Sequence, residues 1–483
     1  MHLRTASFPR QSASHLARLH VALAVLLLAS TLGASPASAT QSKAFVVTSD
    51  YSTGGLSAVD LTTRAVSVDV STVYSDATLR WYDGKIYVVN RFGQDNIQVI
   101  DPASAYATVL QFSTGVGTNP QDIAFLTPTR AFVPLYERTA LLVCNPQTGA
   151  TLDTISLAAF ADADHLPEMA HVALVGNRLF VAIQRLDRAH GYVPTAYSLV
   201  AVIDAQADTV LDADPITPGK QAIRLTGTNP VTTFSYVPST RRLLIGCAGS
   251  YGAADGGIDA IDVDSMQDLG FIATEATLGG DLGDIEWFSP THGYAIVSDA
   301  FFNANLVSFN PSNGALIGTV RSPGGFSLPD CAVNDRGELY VADNSFTTAG
   351  IYVYRAGVDT LITGPLNTGL PPNQIAFDAA RDEVADVTPL ATGTEFAAPW
   401  PNPARNQASF DLRLSAPSLV RIEAFDLSGR RVATLANGAR VAGTFHLAWD
   451  LADERGRALA PGVYLVRALI GDRAITRRLV VVR

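Results

Sequence analysis

The sequence predicts an all-β protein: a seven-bladed β-propeller followed by a small C-terminal Ig-like β-sandwich. Three observations support this prediction. A unit of short apolar strands recurs seven times between Lys43 and Leu361. Its period is about 40 to 50 residues, the size of one four-stranded propeller blade. Beyond residue 393 the pattern changes to alternating strands separated by glycine-containing turns, which is typical of a small sandwich.

The first 39 residues have the order of a secretory signal peptide. Arg4, Arg10 and Arg18 precede an apolar run at 21–29, and Ala37-Ser-Ala39 follows it. This run is too short to span a bilayer comfortably, and no later stretch is apolar enough to do so. We therefore expect cleavage after Ala39 and an exported chain without a transmembrane segment, either secreted or held at the outer cell surface.

Residues 40–385 carry the repeats. In each unit a second strand stops at a polar residue and a third usually closes on Asp or Asn, as in 85–90 followed by 97–101. The seven units begin near Lys43, Ala77, Asn119, Pro167, Asn229, Leu282 and Leu328. The first unit lacks an opening strand, and residues 371–377 match one. The C-terminal strand should therefore complete the first blade and close the ring, which removes free sheet edges.

These repeats resemble the YVTN-type seven-bladed propellers. The match lies in Tyr87-Val-Val-Asn90 with Val99-Ile-Asp101, and in Tyr340-Val-Ala-Asp343. The resemblance implies the fold. It does not imply one particular function, because similar propellers serve as surface-layer adhesins, binding modules and occasional enzymes.

A short linker at 386–393 leads to the C-terminal domain, 394–483. This domain resembles the sorting domains of the type IX secretion pathway and the related FlgD-like Ig domains. The match lies in Pro401-Asn-Pro403, Asp426-Leu-Ser-Gly-Arg430, Trp449-Asp450, Pro461-Gly-Val-Tyr464 and the basic, then apolar, end at 477–483. The resemblance implies that secretion or anchoring machinery engages residues 394–483. The alternative is an Ig-like module that merely ends the protein.

Charge is divided unevenly between the two domains. Residues 40–390 hold 18 basic and 37 acidic side chains, a net charge of −19, whereas residues 391–483 carry a net +5. So acidic a propeller should repel nucleic acid and anionic lipid and favour cations or basic partners. Alternatively, the negative charge only keeps the exported protein soluble outside the cell. Three cysteines remain, Cys144, Cys247 and Cys331, and we expect buried thiols rather than a disulfide framework.

Convergent polar residues at one mouth of the propeller are the candidate binding site. Alignment of the units places an inner ring at Ala77, Gln121, Glu168, Val231, Asp284, Asp330 and Asn373. The ends of the second strands add an outer rim at Asp50, Asn90, Arg91, Arg138, Gln184, Arg185, Asp299, Asp343 and Asn344. The alternative is that these side chains only solvate a channel. No cofactor is expected, although Glu168, Asp284 and Asp330 are candidate ligands for Ca²⁺.

One acidic cluster precedes the fourth unit: Asp162, Asp164, His165, Glu168 and His171. The spacing His165-x-x-Glu168-x-x-His171 superficially suggests a zinc site. The segment runs into a strand, however, and in a strand positions i, i+3 and i+6 do not share a face. An ordinary Asp-rich loop is the simpler interpretation. The sequence also lacks a nucleophile elbow, a phosphate-binding loop and a Cys-x-x-Cys motif.

The sequence therefore predicts an exported, non-enzymatic propeller that binds a surface ligand, whether a protein, a glycan or a small molecule. Two alternatives remain. A metal-assisted hydrolase such as a lactonase would use Ca²⁺ held by the three inner carboxylates. A structural surface-layer protein would instead associate with itself.

Overall fold

The computed structural model describes residues 41–379 without a gap and most of the C-terminal domain. In that domain the described ranges are 395–396, 399, 402–405, 407–414, 418–426, 429–440, 443–453, 457–471 and 473–482. The predicted signal peptide and the linker at 386–393 lie outside the described residues. Within the described ranges, no helix has the length and apolar character needed to cross a membrane.

Residues 41–379 form seven antiparallel sheets of the same plan, the blades. Blade 1 begins with β1 (Lys43–Ser49), β2 (Gly54–Asp60) and β3 (Val66–Val73). Blade 2 contains β4 (Ala77–Tyr82), β5 (Lys85–Asn90), β6 (Asn96–Asp101) and β7 (Ala107–Ser113). Blade 3 contains β8 (Ala124–Thr127), β9 (Arg130–Val133), β10 (Ala140–Cys144) and β11 (Thr151–Ser156).

Blade 4 is the most elaborate. Its strands and a small hairpin are β12 (Met169–Val175), β13 (Arg178–Ile183), the hairpin β14 (Leu186–Asp187) and β15 (Val193–Pro194), then β16 (Leu199–Asp204), β17 (Thr209–Val210) and β18 (Ile223–Arg224). Both β17 and β18 pair with β16.

Blades 5 to 7 return to four strands each. Blade 5 contains β19 (Ser235–Val237), β20 (Arg242–Cys247), β21 (Gly257–Asp262) and β22 (Gln267–Thr274). Blade 6 contains β23 (Asp281–Ser289), β24 (His292–Ser298), β25 (Ala304–Phe309) and β26 (Leu316–Arg321). Blade 7 contains β27 (Asp330–Val333), β28 (Glu338–Asp343), β29 (Gly350–Arg355) and β30 (Thr360–Leu366). The described helical segments are short: α1 (Glu275–Leu278) and 3₁₀ turns at Pro102–Ser104, Ala158–Phe160 and Arg188–His190.

The last propeller strand closes the ring. Strand β31 (Pro372–Phe377) pairs with β1, so that Ala376 lies opposite Phe45 and Ile375 opposite Val46. The first blade is thus assembled from both ends of the repeat region, and the prediction of a seven-bladed propeller is confirmed. Closure leaves the inner strand of every blade paired.

In each blade, both faces of the second and third strands are buried against the neighbouring blades. In β1, Phe45 and Val47 pack toward blade 2, whereas Ala44 and Val46 pack toward blade 7. This follows from the alternation of side chains along a strand, and it explains why the strands read as continuous apolar runs. All three cysteines are free and buried, as expected.

The described part of the C-terminal domain forms two antiparallel sheets. Its strands are β32 (Glu395–Phe396), β33 (Ala408–Leu414), β34 (Ser418–Phe425), β35 (Arg431–Arg440), β36 (Gly443–Trp449), β37 (Gly462–Ile470) and β38 (Arg473–Val481). One sheet has the order β32-β33-β36 and the other β35-β34-β37-β38. They share one apolar core that includes Phe410, Ile422, Trp449 and Val466.

Candidate functional site

The innermost strands run in one direction around a central channel. The loops that lead into them and the loops between second and third strands therefore open on one side, the entry face. Hydrogen bonds join the two kinds of loop: Ser49 N donates to Pro371 O at 2.9 Å, and Arg91 N to Asp76 O at 3.0 Å. The predicted rim residues lie on this face, as the repeat alignment implied.

A polar contact joins the inner strands at every blade junction, and we call these contacts the channel clasps. At five junctions a side chain accepts a backbone N–H of the next blade: Gln374 from Leu79 (2.6 Å), Asp122 from Val172 (3.3 Å), Ser235 from Trp287 (3.0 Å), Asp284 from Cys331 (3.0 Å) and Asp330 from Ile375 (2.8 Å). At the remaining two, Arg80 Nε and Nη2 bind Asp122 (2.8 and 3.0 Å), and His171 Nε2 donates to Val231 O (3.1 Å).

The clasps correct the register of the predicted inner ring. Asp284 and Asp330 lie in the ring as predicted, but in blades 1 and 3 the clasp residues are Gln374 and Asp122, one position after the predicted Asn373 and Gln121. A shift of one residue along a strand moves a side chain to the opposite face. Gln121 instead donates to Asn119 Oδ1 at 2.7 Å in the entering loop.

Burial and pairing set the charge of the clasp carboxyls. Burial acts to raise the pKa of Asp122, but the Arg80 guanidinium and the His171 ring together outweigh it and hold that pKa well below its usual range. Burial raises the pKa of Asp284 to about 6. Burial, and then the neighbouring Asp284 carboxyl, raises the pKa of Asp330 well above its usual value. Both carboxyls thus keep their protons to a higher pH than an exposed aspartate does.

The acidic and amide residues of the rim fix the loops of the entry face. Asn90 is buried and donates to Asn96 Oδ1 at 2.9 Å. Asp299 accepts from Phe301 N at 2.8 Å and closes its own loop. Asp343 is fully buried, and Arg321 Nε donates to it at 2.7 Å.

The rim arginines are also engaged. Arg91 Nε donates to Asp76 at 2.9 Å, and Arg138 donates to the carbonyl oxygens of Gly117 (2.9 Å) and Val116 (2.7 Å). The Arg185 guanidinium stacks 4.0 Å from the centre of the Tyr197 ring. These side chains therefore shape the face more than they offer free groups to a ligand.

Glu168 lies apart from the other two candidate metal ligands. Its carboxylate is grouped with those of Asp162 and Asp164, and one oxygen from each lies within 4.8 Å of the others. Arg188 Nε approaches both Glu168 Oε1 (2.8 Å) and Asp164 Oδ2 (3.2 Å). The Arg188 guanidinium therefore offsets part of the charge of this group. The structure does not bring Glu168 together with Asp284 and Asp330.

The two histidines of the acidic segment are also separated from this group. His171 belongs to the channel clasps, where its Nδ1 lies 3.6 Å from Asp122 Oδ2. His165 lies in the exposed loop, with a left-handed backbone (φ 71°). The zinc spacing seen in the sequence therefore has no counterpart in space, in agreement with the Asp-rich loop interpretation.

Exposed aromatic rings on the entry face are the feature that the sequence reasoning missed. Six blades carry one in the connection between second and third strands: Tyr51, Phe92, Tyr192, Tyr251, Phe301 and Phe346. Tyr51 and Phe301 are each 83% exposed. Phe326, from the loop entering blade 7, joins them, and its ring lies 5.6 Å from that of Phe302. We call this set of rings the aromatic loop face.

A sequence signal for these rings does exist. The aromatic residue follows the polar end of the second strand after zero to two residues in four units, as in Asp50-Tyr51 and Asp299-Ala300-Phe301. Between the rings, exposed or half-buried carboxylates exceed the guanidinium groups in number: Asp50, Asp76, Glu137, Asp162, Asp164, Asp187, Asp255 and Asp299, against Arg91, Arg138, Arg185, Arg188, Arg224 and Arg321. The face is therefore both aromatic and acidic.

Beyond the clasps the channel widens into a cavity of about 440 Å³. Small side chains such as Ala124, Ala173 and Ala376 leave this space, and the rings of Phe125 and Tyr236 line it. Its volume falls in the range of small-molecule sites.

No protein-family model matches the sequence, and no curated protein does. Several solved structures are similar in fold. A putative 6-phosphogluconolactonase from Bacteroides fragilis is 15% identical, with 71% of this chain and 99% of that chain covered and a TM-score of 0.49. AztD from Citrobacter koseri is 12% identical, with 70% and 98% covered and a TM-score of 0.41. The WD40 domain of Toxoplasma gondii coronin is 12% identical, with 59% and 68% covered and a TM-score of 0.41. The likeness is one of β-propeller fold alone.

Proposed function

We propose that this protein is a binding protein whose propeller holds a polypeptide partner on the aromatic loop face. The observation that carries the proposal is the repetition: six of seven blades present an exposed ring on the same side. Isolated exposed rings are common on protein surfaces, but a ring repeated on the same side of six blades, with polar surroundings, favours an interaction site. Aromatic anchors of this kind supply much of the binding energy of protein interfaces.

The acidic surroundings favour a basic partner. Carboxylates between the rings attract Lys and Arg side chains, and the ring faces bind the same cations. The net charge of −19 over residues 40–390 adds long-range attraction for a cationic partner. The propeller contributes a rigid scaffold, because the clasps and the closed ring fix the loops before the partner arrives.

We also propose that the chain is exported and that residues 394–483 form an Ig-like sorting or anchoring domain. The signal-peptide pattern and the sorting-domain motifs support this, as does the arrangement of the C-terminal domain as two sheets on one core. In a bacterium with type IX secretion, the intact chain should reach the medium or outer surface with Thr40 as its first residue. Deletion of 394–483 should retain it in the periplasm. Equal export of both chains would contradict the sorting role.

A random peptide display library provides the probe for the binding face. Peptides selected on the chain from residue 40 onward should be net positive. They should bind at least about 30-fold more weakly when Phe92, Phe301 and Phe346 are replaced by serine, because the loss of a single anchor that contributes about 2 kcal/mol already gives that factor. The matched control replaces Leu152 and Leu316, exposed on outer strands, and should leave binding unchanged. Equal loss in both variants, or none in either, would contradict the proposal.

A further inference from the structure

We propose that the partner of the aromatic loop face is the C-terminal domain of a second copy of this chain, so that copies join head to tail. This inference rests on the proposed function and names the partner of the same site. The surface concerned is the solvent-facing side of the sheet β35-β34-β37-β38, which we call the Arg–Leu face.

The Arg–Leu face follows from strand alternation. Along β34 and β37, Val420, Ile422, Val466 and Ala468 point into the core. The residues between them point outward. The exposed side chains on that outer side include Leu419, Arg421, Leu465, Arg467, Leu469 and Arg478. The buried Glu423 carboxylate lies among them, 3.7 Å from Arg467 Nη2.

The register brings leucine and arginine side by side across the strands. Arg421 lies opposite Leu469, and Leu465 lies opposite Arg478. Leu419 is 71% exposed, and Leu465 and Leu469 are more than a third exposed. A solvent-facing sheet does not need such leucines, and several on one face indicate a surface that is covered by a partner.

The two faces complement each other in charge and in apolar character. Arginines of the Arg–Leu face would meet the carboxylates and rings of the aromatic loop face, and its leucines would pack on Phe92, Phe301 and Phe346. The opposite net charges of the two domains, −19 for residues 40–390 and +5 for 391–483, act in the same direction. Such attraction steers encounter and weakens with added salt.

The contact uses two different surfaces and is therefore heterologous. A heterologous contact that does not close into a ring propagates into chains of molecules. We therefore expect the average mass of the chain from residue 40 onward to rise with concentration beyond that of a dimer, and to fall in high salt.

Complementation between two variants tests the inference. The loop variant carries Phe92→Ser, Phe301→Ser and Phe346→Ser, and the sheet variant carries Leu419→Ser, Leu465→Ser and Arg478→Glu. In sedimentation velocity each variant alone should be monomeric. Their equimolar mixture should form dimers and nothing larger, because one intact face remains on each partner. A Leu152→Ser, Leu316→Ser control should associate like the unaltered chain.

An unaltered chain that stays monomeric at all concentrations would overturn the inference. So would association that survives in either variant alone, or a mixture that stays monomeric. The display selection separates the two proposals: basic peptides that bind the aromatic loop face of a monomeric chain would leave the proposed function standing. Failure of both experiments would remove the aromatic loop face as a binding surface.

Discussion

Replacing Asp259 by asparagine tests how buried acids couple the stability of the propeller to pH. Asp259 lies on β21 and is fully buried. Its Oδ2 accepts from Gly227 N at 2.8 Å and from Cys247 Sγ at 3.4 Å, whereas its Oδ1 has no hydrogen-bond partner. Burial, together with the Asp268 carboxylate, raises the pKa of Asp259 to about 7.

The sign of the pH dependence follows from that shift. Between the ordinary aspartate pKa near 4 and the folded-state pKa of about 7, the folded chain keeps a proton that the unfolded chain has lost. The free energy of unfolding therefore falls as pH rises through this window, by up to about 1.4 kcal/mol per pH unit and on the order of 4 kcal/mol in total. Above the window this contribution is constant.

Urea unfolding from pH 5 to pH 8 measures the effect. The Asp259→Asn protein cannot ionise at this position. Its stability relative to the unaltered protein should therefore rise over that range by about 2 to 3 kcal/mol, because only the part of the window between pH 5 and about 7 lies within it. Asp264→Asn in the same blade is the matched control. Asp264 is exposed and its pKa is lowered, chiefly by its hydrogen bond with Arg241, so its replacement should bring no gain at pH 8. A stability difference for Asp259→Asn that does not change with pH would refute the reasoning.

Three further predictions concern the framework. Asp122→Ala removes the buried carboxylate that pairs with the half-buried Arg80 and should lower the free energy of unfolding by about 3 kcal/mol in urea; adding Arg80→Met should recover part of this loss. Arg188→Met removes the cation beside Glu168, whose pKa is already raised to about 7 by burial. The melting temperature of the Arg188→Met protein should therefore fall more at pH 8, where Glu168 is ionised, than at pH 5. An equal fall at both pH values would contradict the pairing of Arg188 with ionised Glu168. Gly256→Ala places a Cβ 2.0 Å from the Cys247 carbonyl oxygen and should lower the melting temperature, whereas Gly318→Ala, with open space around it, should not.

The fold was predictable because its signal is periodic. A strand buried on both faces reads as an apolar run, and seven such units of similar length leave few architectures available. The closing strand was also visible, because residues 371–377 repeat the pattern of the opening strand of another unit. Both the propeller fold and its closing strand follow from a repeated local pattern, which can be seen in the sequence alone.

The site was less predictable, because it depends on register and on loops. The sequence located the polar ring of the channel but placed Gln121 where Asp122 lies. These two polar residues are adjacent, and the pattern does not show which of them faces the channel. The exposed rings lie in loops of unequal length, so that Phe92 and Tyr192 do not align in the sequence. These rings lie on the same side of the molecule because the closed propeller places all the connections between second and third strands on one face.

Hydrogen–deuterium exchange of the propeller, with and without a saturating basic peptide selected on it, tests the central claim most directly. Binding on the aromatic loop face predicts slower exchange in the connections at 50–53, 91–95, 299–303 and 344–349. The turns on the opposite side, such as 83–84 and 335–337, should be unchanged. Protection confined to those opposite turns or to the channel strands would contradict the claim that this protein binds its partner through the entry face.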